Sequence, residues 1–355
     1  MSHPTEQSHA SSVRPLLVGD ELQGRLVRGF AFTAPEPGIR PNHLNDRLLL
    51  DGDESLPEPP ARVVPLSSDG AVAKAPVPPA DLSVDKVHRA AEIDPGLAAR
   101  VDALLDLSGA GWRPVIRSLL AAIHSTGHRL WLSGGAVRDS VASAPLGKVH
   151  DLDMVGTAPP GRFVDMTYQA LRATGKTEYP ISVSKDSLVC AVAVPRVGRI
   201  IEYRGLSLGG FSFPAVGSEM AEDARHRDFT FNALIYDTLD HVLLDPTGSG
   251  ISDLLRERPY FRPVKESGGA FALATVVVRA MKFALRWNGA VDLGPFLHWL
   301  GTLPPGIWQS LSDDERSRLR PRRRDMPYPQ VVQREFAAQL PEPGRGLLLE
   351  LMGRV

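Results

Sequence analysis

Asp151 and Asp153 occupy alternate positions in VHDLDMVG, and upstream of them RLWLSGGAVRD carries the pair Gly134-Gly135. In an extended strand successive side chains point to opposite faces, so both aspartates are expected on one side, with Leu152 and Met154 packed on the other. Two carboxylates aimed at one point repel unless one stays protonated. A divalent cation between them keeps both ionised, and Mg²⁺ is the natural candidate. RLWLS reads as a strand, GG as a tight turn and AVRDSVA as the first turns of a helix. Glycine lets the backbone approach a bulky anion, and free N–H groups at a helix start favour negative charge. Phosphate beside a carboxylate-held metal is what phosphoryl transfer requires. Each piece alone is common: a GG turn is usually only a turn, and an Asp-x-Asp is more often a solvated face or a cap.

These residues need a sheet to hold them. From Pro95 onward apolar residues recur at helical spacing through LAARVDALLDL and PVIRSLLAAIHSTG, ahead of the RLWLS strand. A helix is expected over 161–174, then strands in YPISVS, SLVCAVAVP and GRIIEYRG. This order predicts an α/β unit with one mixed sheet. Residues 1–94 differ: PEPGIRP, LPEPPARVVP and KAPVPPADL carry prolines that break helix and ladder alike, so a partly ordered extension is expected. Within it LLVGDELQGRLVRGFAF and DRLLLDG could form short strands.

The chain has 355 residues with 43% hydrophobic content, enough for a real core in about two compact units. A net charge of −1 gives no general attraction to nucleic acid, so RNA binding would need a local patch. Cys190 is the only cysteine, which excludes an intramolecular disulfide and a cysteine-based zinc cluster. Its setting in SLVCAVAV is that of a buried small hydrophobe. No run approaches ~18 uninterrupted apolar residues, and MSHPTEQSHASS lacks the apolar segment of a signal peptide. A cytoplasmic protein with no membrane partner is expected.

WLSGGAVRD followed by HDLDMVG resembles the first motif of the class II nucleotidyltransferases, the family of tRNA CCA-adding enzymes and bacterial poly(A) polymerases. Three further blocks follow in that family's order. EDARHRDFTFNALIYD (222–237) is similar to its arginine-and-aspartate motif, LLDPTGSGISDL (243–254) to its Asp-rich turn after the sheet, and VVVRAMKFALRWNG (276–289) to the helix that starts the neck. The resemblance covers about 129–289 and implies an α+β fold: a nucleotidyltransferase head with a mixed sheet flanked by helices (95–260), then a small helical neck and short C-terminal region (261–355).

It also implies roles. Asp151 and Asp153 would hold two Mg²⁺ ions, or Mn²⁺ in their place, and a third carboxylate would come from a neighbouring strand. Glu202 in IIEYRG is the first candidate and Asp186 its competitor. Ser133, Gly134 and Gly135 would wrap the phosphates. Arg138 would either reach phosphate or form a structural salt bridge. Arg225, Arg227 and Asp228 are candidates for triphosphate and ribose contacts, Asn232 for orienting the sugar or its loop, and Arg279 for the nucleotide. The implied partners are an NTP and an RNA 3′ end.

Two departures bear on function. His226-Arg227-Asp228 stands where the family usually has two arginines before the aspartate, which makes one cation pH-dependent. In the neck, Ala272, Leu273 and Val276 stand where an acidic pair and an arginine would read the incoming base, and such a site should lose base selectivity. The C-terminal segments LGPFLHWLGTLPPGIWQSL, YPQVVQREFAAQL and GRGLLLELMGRV look helical. ERSRLRPRRRDM (315–326) is the one concentrated basic run, either a solvated linker or an RNA contact through Arg322, Arg323 and Arg324. Three functions therefore stand: NMP addition to an RNA end, nucleotidylation of a small molecule or protein, and a catalytically silent RNA- or nucleotide-binding protein.

Overall fold

The computed structural model describes residues 84–144, 149–158, 160–183, 189–206, 220–265, 268–324 and 326–353. The two strand-like patches of the Pro-rich segment and Asp186 lie outside the described residues. The chain divides into two compact units: Met1–Asp223 with Ile235–Leu244, and Ala224–Leu234 with Asp245–Val355.

In the first unit the sequence-predicted elements form with small shifts of boundary. After β1 (Val87–Arg89) and α1 (Ala90–Ile93) come α2 (Leu97–Leu105) and α3 (Arg113–Ser125). Val115, Ile116, Leu119, Leu120 and Ile123 make one buried stripe on α3, which packs on α5 below. β2 (Leu130–Ser133) leads directly into α4 (Gly134–Val141), and β3 (Leu152–Gly156) follows, then α5 (Pro160–Ala173). β4 (Ile181–Val183), β5 (Cys190–Val194), β6 (Gly198–Gly205) and α6 (Met220–Ala224) come next, then the hairpin of β7 (Ile235–Asp237) and β8 (Val242–Leu244). Cys190 is fully buried, and burial lifts its thiol far above the ordinary range, in keeping with an inert packing role.

Among the described residues the strands form one eight-stranded sheet in the order β1-β8-β7-β2-β3-β6-β5-β4. Only β3 and β6 run parallel, so the sheet is mixed as expected. Its centre is apolar: Trp131, Val155, Leu206, Met220, Ile235 and Leu244 pack as one buried cluster. The Trp131 indole N–H donates to Asp237 Oδ2 at 2.8 Å, which satisfies two buried polar groups together.

The second unit is helical: α7 (Gly250–Leu254), α8 (Ala270–Arg286), α9 (Gly294–Leu300), α10 (Asp313–Arg324), α11 (Gln330–Ala338) and α12 (Gly344–Met352). Its core is a set of interlocked rings, with Phe229 and Phe231 stacked at 5.3 Å and both tilted against Phe261. Phe283 meets both of them edge-on. These partners explain why the compact units differ from linear boundaries. Phe229 and Phe231 fall in the segment assigned by sequence to the head, yet their burial partners Phe261, Phe283 and Phe296 come from beyond residue 260, two of them from α8 and α9. Similarly, Val87–Arg89 lies inside the stretch assigned to the extension but pairs with Val242–Leu244 as the edge of the sheet. The basic run is a helix and not a linker: α10 runs through Pro321, which forgoes one backbone hydrogen bond, and Leu319 anchors it in the core. Among the described residues no helix is long and apolar enough to cross a membrane.

Candidate active site

Strand register creates the acidic centre. Asp153 on β3 is the direct partner of Glu202 on the parallel strand β6, with Leu152 opposite Ile201 and Met154 opposite Tyr203. Residues level in a ladder share a face, so the two carboxylates stand side by side while the apolar partners fill the other face. Leu152, Met154, Ile201 and Tyr203 are all buried. Asp151 is exposed and immediately precedes β3 instead of lying in it, because the ladder with β6 begins at Leu152. Glu202 is partly exposed and accepts from Arg199 Nη1 at 2.8 Å.

The turn from β2 to α4 closes on this centre. Gly134 has φ 63°, in the left-handed region that penalises side chains. A Cβ on it would lie 2.3 Å from Asp153 Oδ2, so the aspartate side chain rests directly against the glycine backbone. Ser133 caps α4 in an extended conformation and is buried, with no hydrogen bond from its side chain into the cap. Gly134 and Gly135 begin the helix, with their N–H groups at its positive end. Arg138, buried on α4, pairs with Asp139 Oδ1 through Nε and Nη2, both at 3.0 Å. Of the two roles open to Arg138, the structure contains the salt bridge.

In the second unit Asp228, Asn232 and Arg279 form one network. Asp228 accepts from the Phe229 N–H at 2.8 Å, from Asn232 Nδ2 at 2.9 and 3.1 Å, and from Arg279 Nε. Burial opposes ionisation of Asp228, but the Arg279 guanidinium, Asn232 and the Phe229 N–H outweigh it and hold the carboxyl below its usual range. Arg279 is partly exposed above the Phe283 ring. Arg225 is exposed and Arg227 partly exposed. The candidate residues thus assemble as two groups in different units: Ser133, Gly134, Asp153 and Glu202 in the first, Asp228, Asn232 and Arg279 in the second.

Several acids that hold the fold escaped the sequence reading. Asp223 is fully buried against Arg204 Nη2 at 2.8 Å, which ties the start of the second motif to β6. Asp253 accepts from Thr230 Oγ1 at 2.7 Å and from Arg262, and Asp245 accepts from Thr247 and from the Ile251 N–H at the start of α7. The only signal was their place in the motif-like blocks. At the neck positions Leu273 and Val276 are buried, as their apolar character implied.

The strand–glycine–helix turn against the β3 aspartate, with the parallel β6 acid beside it, lies within the segment of the chain that resembles known proteins. Residues 130–258 match the family model described as the poly A polymerase head domain. The chain is 31% identical over 163 residues to a multifunctional CCA protein of Stenotrophomonas maltophilia (strain K279a), covering 45% of this chain and 36% of that protein. It is 30% identical over 170 residues to a CC-adding tRNA nucleotidyltransferase of Geobacter sulfurreducens, covering 47% and 34%. The matches therefore span about a third of these relatives' length. A solved CCA-adding enzyme in complex with ATP shares the fold at TM-score 0.51 and 16% identity, over 71% of this chain and 55% of that one.

Proposed function

We propose that the chain transfers NMP from an NTP to the 3′ hydroxyl of an RNA, tRNA-like at its end, with release of pyrophosphate. The observation that carries this reading is the pairing of Asp153 and Glu202 on adjacent parallel strands against the Gly134 turn. In the reaction the acceptor oxygen bonds to the α-phosphorus, the bond to pyrophosphate breaks, and the hydroxyl proton leaves to water. Most of the protein's work is then positioning and charge neutralisation. The α4 N-terminus receives phosphate; in the second unit Asp228, braced by Asn232 and Arg279, holds the loop that carries Arg225 and Arg227.

The family is metal-dependent, and the donor set suits Mg²⁺. Asp151, Asp153 and Glu202 offer hard oxygen ligands, and Mg²⁺ keeps several waters and commonly takes one or two carboxylates plus substrate phosphate. Among the described residues no three His, Cys, Asp or Glu groups gather into an all-protein cage, which Mg²⁺ does not need. When bound, the metal would lower the pKa of the acceptor hydroxyl and neutralise the leaving pyrophosphate.

A second reading, transfer to a small molecule or protein, is favoured by one observation. Leu273 and Val276 are buried hydrocarbon and offer no edge to an incoming base. The protein with Mg²⁺, each labelled NTP and total tRNA or a small-molecule extract separates the cases. RNA labelling that disappears in Asp153→Asn supports the proposal. Label on another acceptor selects the second reading, and no pyrophosphate release with any acceptor ends both.

A further inference from the structure

Helix α10 carries arginines against helix α8 of the same unit. Arg318 and Arg322, one turn apart, both lie over the Phe271 ring, with guanidinium carbons 4.6 and 5.3 Å from its centroid. Arg322 Nη1 also meets Thr275 Oγ1 at 3.4 Å. Phe271, Thr275 and Arg279 follow one another at four-residue steps along α8 and so share one face of it. Two helices of the second unit therefore bring Arg279, Arg318 and Arg322 to a common surface.

Their charges are unevenly answered. Arg279 holds Asp228, and Arg318 approaches Asp314 only to 3.9 Å. Among the described residues, the groups bearing on Arg322 are Phe271, Thr275, Arg279 and Arg318, and none of these is acidic. Partial desolvation, and then the positive charges of Arg279 and Arg318, pull the Arg322 pKa down. Like charges one turn apart on a helix oppose its formation, so the arrangement costs stability that a bound anion would return. Arg320, Arg323 and Arg324 face elsewhere: they line a separate cavity of about 410 Å³ together with Glu350.

We propose that Arg279, Arg318 and Arg322 form a phosphate-binding row for the backbone of a single-stranded RNA, with Phe271 as its apolar floor. The choice of RNA rests on the acceptor proposed above. Guanidinium is the side chain that grips phosphate oxygens in pairs, and a row carried across two helices fits successive phosphates of a strand. With a net charge of −1, attraction to RNA has to be local, and this surface supplies it.

The test measures anisotropy of a fluorescein-labelled single-stranded RNA against the full-length protein across a salt series. Binding of ATP is measured in parallel and folding is checked by thermal unfolding. Arg322→Gln and Arg318→Gln are each expected to weaken RNA binding about tenfold whatever the sequence, and to reduce the salt slope by about 0.7 to 1. Arg320→Gln, which removes the same charge from the same helix, is expected to change it far less. An equal loss in Arg320→Gln, no loss in either row variant, or loss of ATP binding with RNA binding intact overturns the site. Transfer onto RNA by the wild type with normal RNA affinity in both variants ends the row and leaves the function. Arginine-dependent RNA binding by a wild type that transfers nothing ends the function and leaves the row.

Discussion

Gly134 combines a φ of 63° with contact against Asp153, so Gly134→Ala strains the backbone and pushes the carboxylate aside at once. Loss of about 1 kcal/mol or more of stability is expected in urea unfolding, with pyrophosphate release nearly abolished; a fully active alanine variant would refute the close approach. Glu202→Gln tests the neighbouring acid. Its turnover should fall on the order of 10²-fold while NTP binding stays near wild type. Unchanged turnover removes Glu202 from the site. His128 provides a pH test, since burial and then the Arg162 charge lower its pKa from 6.5 to about 4. The folded state keeps it neutral while the unfolded chain protonates near 6.5, so its contribution is full above that pH and is lost as pH falls toward about 4. Stability should drop about 2 kcal/mol more between pH 7.5 and 5 in wild type than in His128→Gln. Equal slopes would show that His128 is not the group responsible. At this scale the aspartates and glycines were legible because spacing alone determines their face and turn. The Arg138–Asp139 pair was not, because a sequence does not say whether an arginine points to solvent or to its neighbour.

Helices and strands with clear periodicity matched the expected pattern, among them α3 and the strand pair holding Asp153 and Glu202. Helix α10 was harder to read, since a proline within a run of arginines resembles a linker until Leu319 finds a core. On α8 Leu273 and Val276, two of the three residues at the expected base-reading positions, are packed inward. Installing the missing cation by Val276→Arg should therefore bury a charge where Val276 is 2% exposed. We expect a lowered melting temperature and no gain in preference among labelled NTPs. A stable variant that now selects among bases would show that the helix can turn this face to a nucleotide.

Across the whole molecule the chain leaves the first unit at Asp223, returns as the β7–β8 hairpin over 235–244, and leaves again. No periodicity announces such an excursion, which is why linear boundaries did not reveal it. A fragment covering 84–223 lacks β7 and β8, so β1 has no neighbour and β2 has an open edge. Its urea unfolding, followed by circular dichroism, should be broad and weak; a sharp transition like that of the full chain would mean the hairpin is dispensable. The same connectivity bears on how the protein is born. Because Val87 pairs with Leu244, the first of the described strands to leave the ribosome waits through the synthesis of more than half the described chain before its partner exists. The head cannot fold as a finished module behind which the rest is made. Its closing stitch arrives only after the ribosome has already built part of the other unit.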